Sequence, residues 1–350
     1  MVAGSSTELF LQQVKEFMPE YAAIADENAG KRIASQIPCG VRFAYGQRAA
    51  LDAVAQGDVA FVAAAGFAGL QYSLEAIALK KPLALANKET LVAGGEIIMP
   101  MAKANGVKII PVDSEHSAIW QCLDFNADKE YKKIIITASG GALRNVEISK
   151  LSEVSASDAL MHPNWNMGRK ITVDCATMMN KGFEVLEAMW LFNAKRTDVE
   201  VVIHPESIIH SMVEFNDGAV MAQLGVPSME LPIQLALTYP ERLKICEDRL
   251  SLVGKSLNFL EVDKNRYPCF DIFDKAIEKG YNFPCSLSGA DEEVVKLFLE
   301  GKIKYTEIPT YLEKVLEKTE KLPVTFENLE YTDSLSRIIV NELYCKRSSL

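Results

Sequence analysis

Asp113, Ser114, Glu115 and His116 place two carboxylates, a hydroxyl and an imidazole in consecutive positions, directly after the apolar run "VKIIPV". Asp113 and Glu115 are two residues apart, and on the extended end of a strand that spacing sends both side chains to one side. Two neighbouring carboxylates repel unless a proton or cation lies between them, so a hard divalent ion is a natural partner. The same pair also reads as solvated charge on an exposed loop, and the dipeptide spacing alone does not choose.

A second group lies in "NKGFE". Asn180, Lys181 and Glu184 are spaced to share one face of a helix. Such a Lys–Glu pair is commonly a surface ion pair. The apolar flanks "TMM" and "FEVL" point instead to a buried helix, where an unpartnered charge is costly. Glu184 is then a candidate third carboxylate ligand. "TASGGALR" offers the Ser139 hydroxyl and the amides of Gly140 and Gly141, a loop that could cup a phosphate or simply turn the chain. All four histidines, His116, His162, His204 and His210, sit in polar motifs without zinc-like spacing to cysteine. Of these, His116 and His204 read equally well as structural caps. "HPNWNMG", from His162, has the aromatic and glycine content of a mobile lid.

The elements that must position these groups follow from periodicity. Through residue 113, helical segments ("STELFLQQVKEFM", "GQRAALDAVAQG") alternate with short apolar runs ("DVAFVAAAG", "PLALAN", "VKIIPV"). That alternation predicts an α/β doubly wound parallel sheet, which presents ligands at the carboxyl ends of its strands. The small residues of "AAAGFAG" suit either a close-approaching ligand or tight helix–sheet packing. Residues 114–238 read as a mixed α+β catalytic unit. It contains a strand in "KKIIITASGG", one long helix over "DCATMMNKGFEVLEAMWLF", and strands joined at the Asn216-Asp217-Gly218 turn. Residues 239–267 read as an irregular linker, and 268–350 as a C-terminal helical bundle.

Bulk properties bound the function. A formal charge of −10 over 350 residues argues against a nucleic-acid partner. No apolar run approaches the roughly 18 residues of a membrane span, and the N-terminal residues do not form a secretory signal. Seven scattered cysteines without a CxxC pair fit reduced thiols in a cytoplasmic setting.

"LANKETLV", "PVDSEH", "HPNWNMGRKITVDCATMMNKGFEVLEA", "IHPESIIHSMV" and "AQLGVPSMELPI", in that order, resemble the 1-deoxy-D-xylulose 5-phosphate reductoisomerase family. The resemblance implies an NADPH- and divalent-metal-dependent enzyme (manganese, magnesium or cobalt) of isoprenoid biosynthesis. It rearranges 1-deoxy-D-xylulose 5-phosphate and reduces the product to 2-C-methyl-D-erythritol 4-phosphate. It further implies a homodimer, in bacterial cytoplasm or a plastid. By motif, Asp113, Glu115 and Glu184 are the implied metal ligands. Lys88, Glu115 and His162 are the implied catalytic groups. Ser114, Asn180 and Lys181 are implied at the substrate hydroxyls, and Ser139, His162, Cys175, Asn180 and Lys181 around its phosphate. Trp165 and Met167 are implied in the lid, and Gly168 in a backbone contact to the cofactor. Gly4, Ser5, Ser6, Asn87 and Glu89 fall in the cofactor-binding region.

Two departures from the family pattern shape the expectations. The GxTGxxG loop that binds the dinucleotide pyrophosphate is not found, so the first βα unit, with a central strand, is expected to be missing. Cys175 stands where the family has serine, and a thiol donates more weakly than a hydroxyl. The alternative expectation is a fragment that holds metal and sugar phosphate without hydride transfer. A cofactor-free aldolase or isomerase is a third.

Overall fold

The computed structural model describes residues 1–244 and 249–347. Cys246 lies outside them. The chain opens with β1 (Val2–Ala3), α1 (Glu8–Phe17), β2 (Tyr21–Ile24), α2 (Glu27–Ile33), β3 (Arg42–Tyr45) and α3 (Gln47–Asp52). It continues through β4 (Ala60–Val62), α4 (Ala68–Ala78), β5 (Leu83–Leu85), α5 (Glu89–Asn105) and β6 (Ile109–Pro111). All six strands pair in parallel, as the alternation predicts. β5 buries all three residues, the signature of a strand covered on both faces.

The sheet is nevertheless divided. β1-β2-β3 forms one three-stranded sheet and β4-β5-β6 another, with no ladder between them. Between the edges of β1 and β4 lies a cavity of about 1050 Å³. A small separate core, including Phe10, Val14, Ile24 and Ile33, supports the first sheet. The second sheet belongs to the main core.

The middle of the chain comprises α6 (Ser114–Cys122), β7 (Lys133–Ala138), α7 (Ala156–Ala159), α8 (Arg169–Thr177), α9 (Met179–Leu191), β8 (Val199–Ile203), β9 (Ile209–Glu214), β10 (Val220–Leu224) and α10 (Glu230–Thr238). The strands form a mixed sheet of order β10-β9-β7-β8. β9 and β10 turn at Gly218, whose φ of +85° suits glycine. Residues 239–267, where described, contain no helix and pair only through the Ile203–Leu260 bridge. α11 (Pro268–Lys279), α12 (Phe283–Leu299), α13 (Ile308–Lys318) and α14 (Phe326–Arg347) complete the fold as a helical bundle.

The long helix expected over 174–192 is two helices. Met178 takes a left-handed conformation (φ 63°) and separates α8 from α9. The break gives α9 its own N-terminus, with Asn180 and Lys181 in the first turn. α9 is buried on every face: Val185 and Ala188 join the main core, while Phe183 and Leu186 join the helical core. The site therefore rests on the most deeply held helix of the protein.

α8 is tied to the bundle by Lys170, whose ammonium lies 2.7 Å from both Asp174 and Asp291. Both carboxylates are buried; Asp174 Oδ1 and Asp291 Oδ1 have no hydrogen-bond partner, and Asp291 Oδ2 has only the Lys170 ion pair. Burial and the Asp291 charge hold the Asp174 carboxyl well above its ordinary value, against the pull of Lys170. A raised carboxylate pKa favours the fold below the unfolded value of about 3.9 and costs stability as pH climbs through the raised one. Asp291→Asn keeps an acceptor for Lys170, adds an amide donor for Asp174, and removes the like charge. It is expected to raise the thermal midpoint by roughly 2 °C at neutral pH, with a smaller gain near pH 4. Differential scanning calorimetry across pH checks this.

Candidate metal and anion site

The opening carboxylates do not converge by strand alternation. Asp113 is the N-cap of α6, its side chain accepting the Glu115 N–H at 3.1 Å, and Glu115 lies in the first helical turn. Capping, rather than extended spacing, brings the two together. Glu184 reaches them from α9, and ligand oxygens of Asp113, Glu115 and Glu184 lie within 4.8 Å of one another.

Two ammonium groups interleave with these acids. Lys88, the residue before α5, is 3.0 Å from Asp113 Oδ2 and 3.2 Å from Glu184 Oε1, and donates to Asn180 Oδ1 at 2.6 Å. Lys181 is 2.7 Å from Glu115 and 2.5 Å from Glu184, and donates to the Thr137 carbonyl at 2.8 Å. Ser114 Oγ donates to Glu115, and Asn180 Nδ2 to Glu184. Burial opposes charging of Lys88 and Lys181, but the carboxylates around them hold both ammonium groups above their ordinary value. Burial likewise opposes ionisation of Asp113, yet Lys88 and His116 hold its carboxyl well below the usual range. Burial and the Glu115 charge push Glu184 upward, against Lys181 and Lys88.

Three oxygen donors on two rigid helix ends suit a hard divalent ion. Glu184 Oε2 has no hydrogen-bond partner beyond the Lys181 ion pair, which leaves it a free lone pair for such an ion. A second trio, Asp113, His116 and Glu187, is equally close in space. In this trio both nitrogens of His116 are already engaged. Its Nε2 donates to the Glu184 carbonyl at 2.9 Å, and its Nδ1 faces Asp113 at 3.1 Å and Glu187 at 3.4 Å. Burial lowers this imidazole, but Glu187 and Asp113 outweigh it and push it up to about 9, so both nitrogens carry protons. His116 thus orients Asp113 and the backbone of α9. Glu187 was not singled out from sequence. Its position one turn beyond Glu184 inside an apolar run was the available signal.

The anion pocket adjoins this cluster. Glu115, Ser139, Gly140, His162, Trp165, Cys175, Asn180 and Lys181 all line one cavity, joined by His210, which sequence reading left without a role. His162 Nδ1 accepts the N–H groups of Asn164 (3.2 Å) and Trp165 (3.0 Å), so its proton sits on Nε2, which donates to Ser139 Oγ at 2.9 Å. Burial, Arg144 and Lys181 lower its pKa, which keeps this ring neutral. The Ser139–Arg144 loop is held from the residue ahead of α11, Tyr267, which donates to the Gly140 carbonyl at 2.9 Å. Gly141 has φ +69°, and a Cβ there would fall 2.5 Å from the Ala176 Cα, so only glycine lets this loop approach α8.

Asn164 ties the lid segment across the pocket, donating to the Pro205 carbonyl (2.7 Å) and Ser207 (2.8 Å), while Trp165 meets His210 edge-on. The cavity beneath measures about 40 Å³, room for two or three waters. A sugar phosphate requires the lid to lift. His204 is structural: it accepts the N–H groups of Ile208 and Ile209 and stacks on Phe259.

The residues expected at the cofactor are dispersed. Gly4 borders the slot between β1 and β4, followed by Ser5 and Ser6. Asn87 spends its side chain on Gly66, Glu89 and Thr90 at the start of α5. Met167 and Gly168 close the lid segment ahead of α8. Neither the slot nor the anion pocket is lined by Asn87, Glu89, Met167 or Gly168.

Three family profiles match the chain: 1-deoxy-D-xylulose 5-phosphate reductoisomerase over residues 1–95, its C-terminal domain over 109–192, and DXP reductoisomerase C-terminal domain over 224–339. The 1-deoxy-D-xylulose 5-phosphate reductoisomerase of Clostridium perfringens (strain 13 / Type A) is 44% identical over 98% of this chain and 91% of its own length. That of Nostoc sp. (strain PCC 7120) is 45% identical over 91% of this chain and 81% of its own length. Among solved structures, the Zymomonas mobilis enzyme in complex with NADPH superposes with a TM-score of 0.90 at 34% identity, covering 98% of this chain and 90% of that one. A DOX-P reductoisomerase in complex with NADPH, fosmidomycin and magnesium gives 0.91 at 33% identity with the same coverage.

Proposed function

The chain belongs to the 1-deoxy-D-xylulose 5-phosphate reductoisomerase family, and on that premise we propose that it converts 1-deoxy-D-xylulose 5-phosphate to 2-C-methyl-D-erythritol 4-phosphate with NADPH and a divalent cation (magnesium, manganese or cobalt). The observation that carries the reading is the convergence of Asp113, Glu115 and Glu184 within 4.8 Å beside two buried lysines. These three residues would hold the ion. When bound, the ion supplies Lewis-acid polarisation of a neighbouring ketone and hydroxyl, and NADPH supplies the hydride. Relatives solved with NADPH and magnesium support that assignment.

The chain's own groups do the rest. Lys88, Ser114, Asn180 and Lys181 present donors to substrate hydroxyls at the α9 N-terminus, where the helix dipole also favours negative charge. Ser139 Oγ, which accepts the Gly141 N–H, the Nε2–H of His162 and Gly140 line the phosphate side. Trp165 covers the pocket and excludes water from it. Gly4, Ser5, Ser6, Asn87, Glu89, Met167 and Gly168 are assigned to the cofactor. Exposed Val220 and Met221 on the edge strand β10, with exposed Leu237 on α10, support a homodimer. Among the described residues no helix is long and apolar enough to cross a membrane.

Cys175 bears on affinity. Burial pushes its thiol up to about 12, so at neutral pH it is a weak, neutral donor. Cys175→Ser is expected to lower the substrate KM roughly five-fold, the worth of about 1 kcal/mol for one better hydrogen bond, with kcat little changed. Steady-state kinetics at saturating NADPH checks it.

The divided sheet beside Gly4 favours a second reading, a metal- and sugar-phosphate-binding chain without hydride transfer. NADPH fluorescence titration of the purified chain, followed by product analysis with the xylulose phosphate and manganese, separates the two. Saturable NADPH binding and formation of the erythritol phosphate uphold the first reading. Sugar-phosphate binding with no NADPH binding upholds the second.

A further inference from the structure

The anion pocket carries less positive charge than its lining suggests. Lys181, on its wall, lies between Glu115 and Glu184, and Lys88 lies between Asp113 and Glu184, so three carboxylates meet two lysines. His116, held charged, is set against Glu187. His162 is neutral, and burial lowers the His210 imidazole as well. The groups on the wall therefore have no positive charge left over for an anion.

Arg144 lies behind that wall. Its side chain runs back along the loop, so close that a Cβ on Gly140 would fall 3.1 Å from Arg144 Cδ, and its Nη1 donates to the Ser139 carbonyl. Among the described residues this guanidinium has no ion-pair partner. Its field reaches the pocket, since Arg144 is second only to burial in lowering His162. The same contact shapes the donor set. Ser139 Oγ accepts the Nε2–H of His162 at 2.9 Å and the Gly141 N–H at 3.1 Å. Both lone pairs are then occupied, and the proton of the hydroxyl is free to meet a ligand. Arg144 fixes the Ser139 carbonyl and Tyr267 the Gly140 carbonyl, so the backbone beside this hydroxyl is held from both.

We propose that Arg144 is the specificity-determining residue of the anion pocket: an uncompensated guanidinium, held on the Ser139 carbonyl, that draws in a phosphate-class anion and positions Ser139 to donate to it. Arg144 does not line the cavity. It acts through Ser139 and through its charge, which a partly buried site screens less than water does. The inference rests on the sugar-phosphate part of the proposed function and is independent of hydride transfer.

The test is a phosphorus NMR titration of inorganic phosphate against the full chain in chelator, so that no divalent ion adds to the field. Saturable line broadening is expected for the wild-type chain. Arg144→Met keeps the apolar stem without the charge and is expected to bind phosphate at least about ten-fold more weakly. Arg144→Lys keeps the charge and a donor, and is expected to return to within about three-fold of wild type. In turnover with excess magnesium the same order is expected in the KM for the sugar phosphate, with kcat little changed. Manganese affinity supplies the contrast, because loss of a positive charge cannot weaken a cation through the field, whereas a damaged site loses both ligands. Equal phosphate binding by wild type and Arg144→Met, no rescue by lysine, an effect on kcat alone, an equal loss of manganese, or no phosphate binding by the wild-type chain each overturns the proposal. Phosphate binding in the expected order by a chain that does not bind NADPH upholds it while the hydride-transfer reading falls.

Discussion

Replacing Glu184 by glutamine is expected to lower kcat/KM by more than about 100-fold while leaving the thermal midpoint within a few degrees of wild type. The two effects separate because of where the charge sits. Glu184 is almost fully buried, and burial together with Glu115 disfavours its ionised form. An amide of the same shape relieves that cost, and Lys88 and Lys181 keep Asp113 and Glu115 as partners. Function has no such relief. Outer partners of a metal site typically cost 10–100-fold when removed, and loss of a direct ligand costs more. Steady-state kinetics over a range of manganese concentrations, paired with calorimetry, checks both halves.

Lys181→Met should harm stability and catalysis together. The side chain is 5% exposed and holds Glu115, Glu184 and the Thr137 carbonyl. Methionine fills the space but leaves buried Glu184 and partly buried Glu115 short of one cation, a loss of up to about 3–5 kcal/mol for a broken buried pair. A divalent ion in the acid cluster would replace part of the missing charge. The loss of thermal midpoint is therefore expected to be larger in chelator than in excess magnesium. For turnover, removal of a preorganised donor facing developing negative charge predicts a fall of roughly 10²–10³-fold. Melting curves with and without magnesium, beside kinetics, test the pair of effects.

Much of the architecture could be read from pattern. Strands such as Leu83–Leu85 and Ile109–Pro111 stood out because parallel strands are covered on both faces and read as short apolar runs, and the amphipathic C-terminal segments became α11 to α14. The convergence of Asp113, Glu115 and Glu184 was also legible, although the reason was misjudged. Extended geometry was expected, whereas the Asp113 cap and the first turn of α6 bring the acids together. The break at Met178 was not legible, since methionine carries no bias toward a left-handed backbone and the apolar period runs through it unbroken. Glu187 escaped notice because acids in a helical run ordinarily face water. Its buried contact with His116 arises from α6 packing on α9, a long-range fact absent from local sequence. Asp291 was hidden likewise, since its partners Lys170 and Asp174 lie more than a hundred residues earlier.

The pivot of the account is that one acid from α9 and two from the start of α6 grip a single doubly charged ion. Isothermal titration of the chelator-treated protein with manganese measures that directly. One ion per chain is predicted, with Asp113→Asn, Glu115→Gln and Glu184→Gln each weakening it at least ten-fold, and Glu187→Gln weakening it less than any of the three. Failure of the wild-type chain to bind, or a loss confined to Glu187→Gln while Glu184→Gln binds normally, would contradict it.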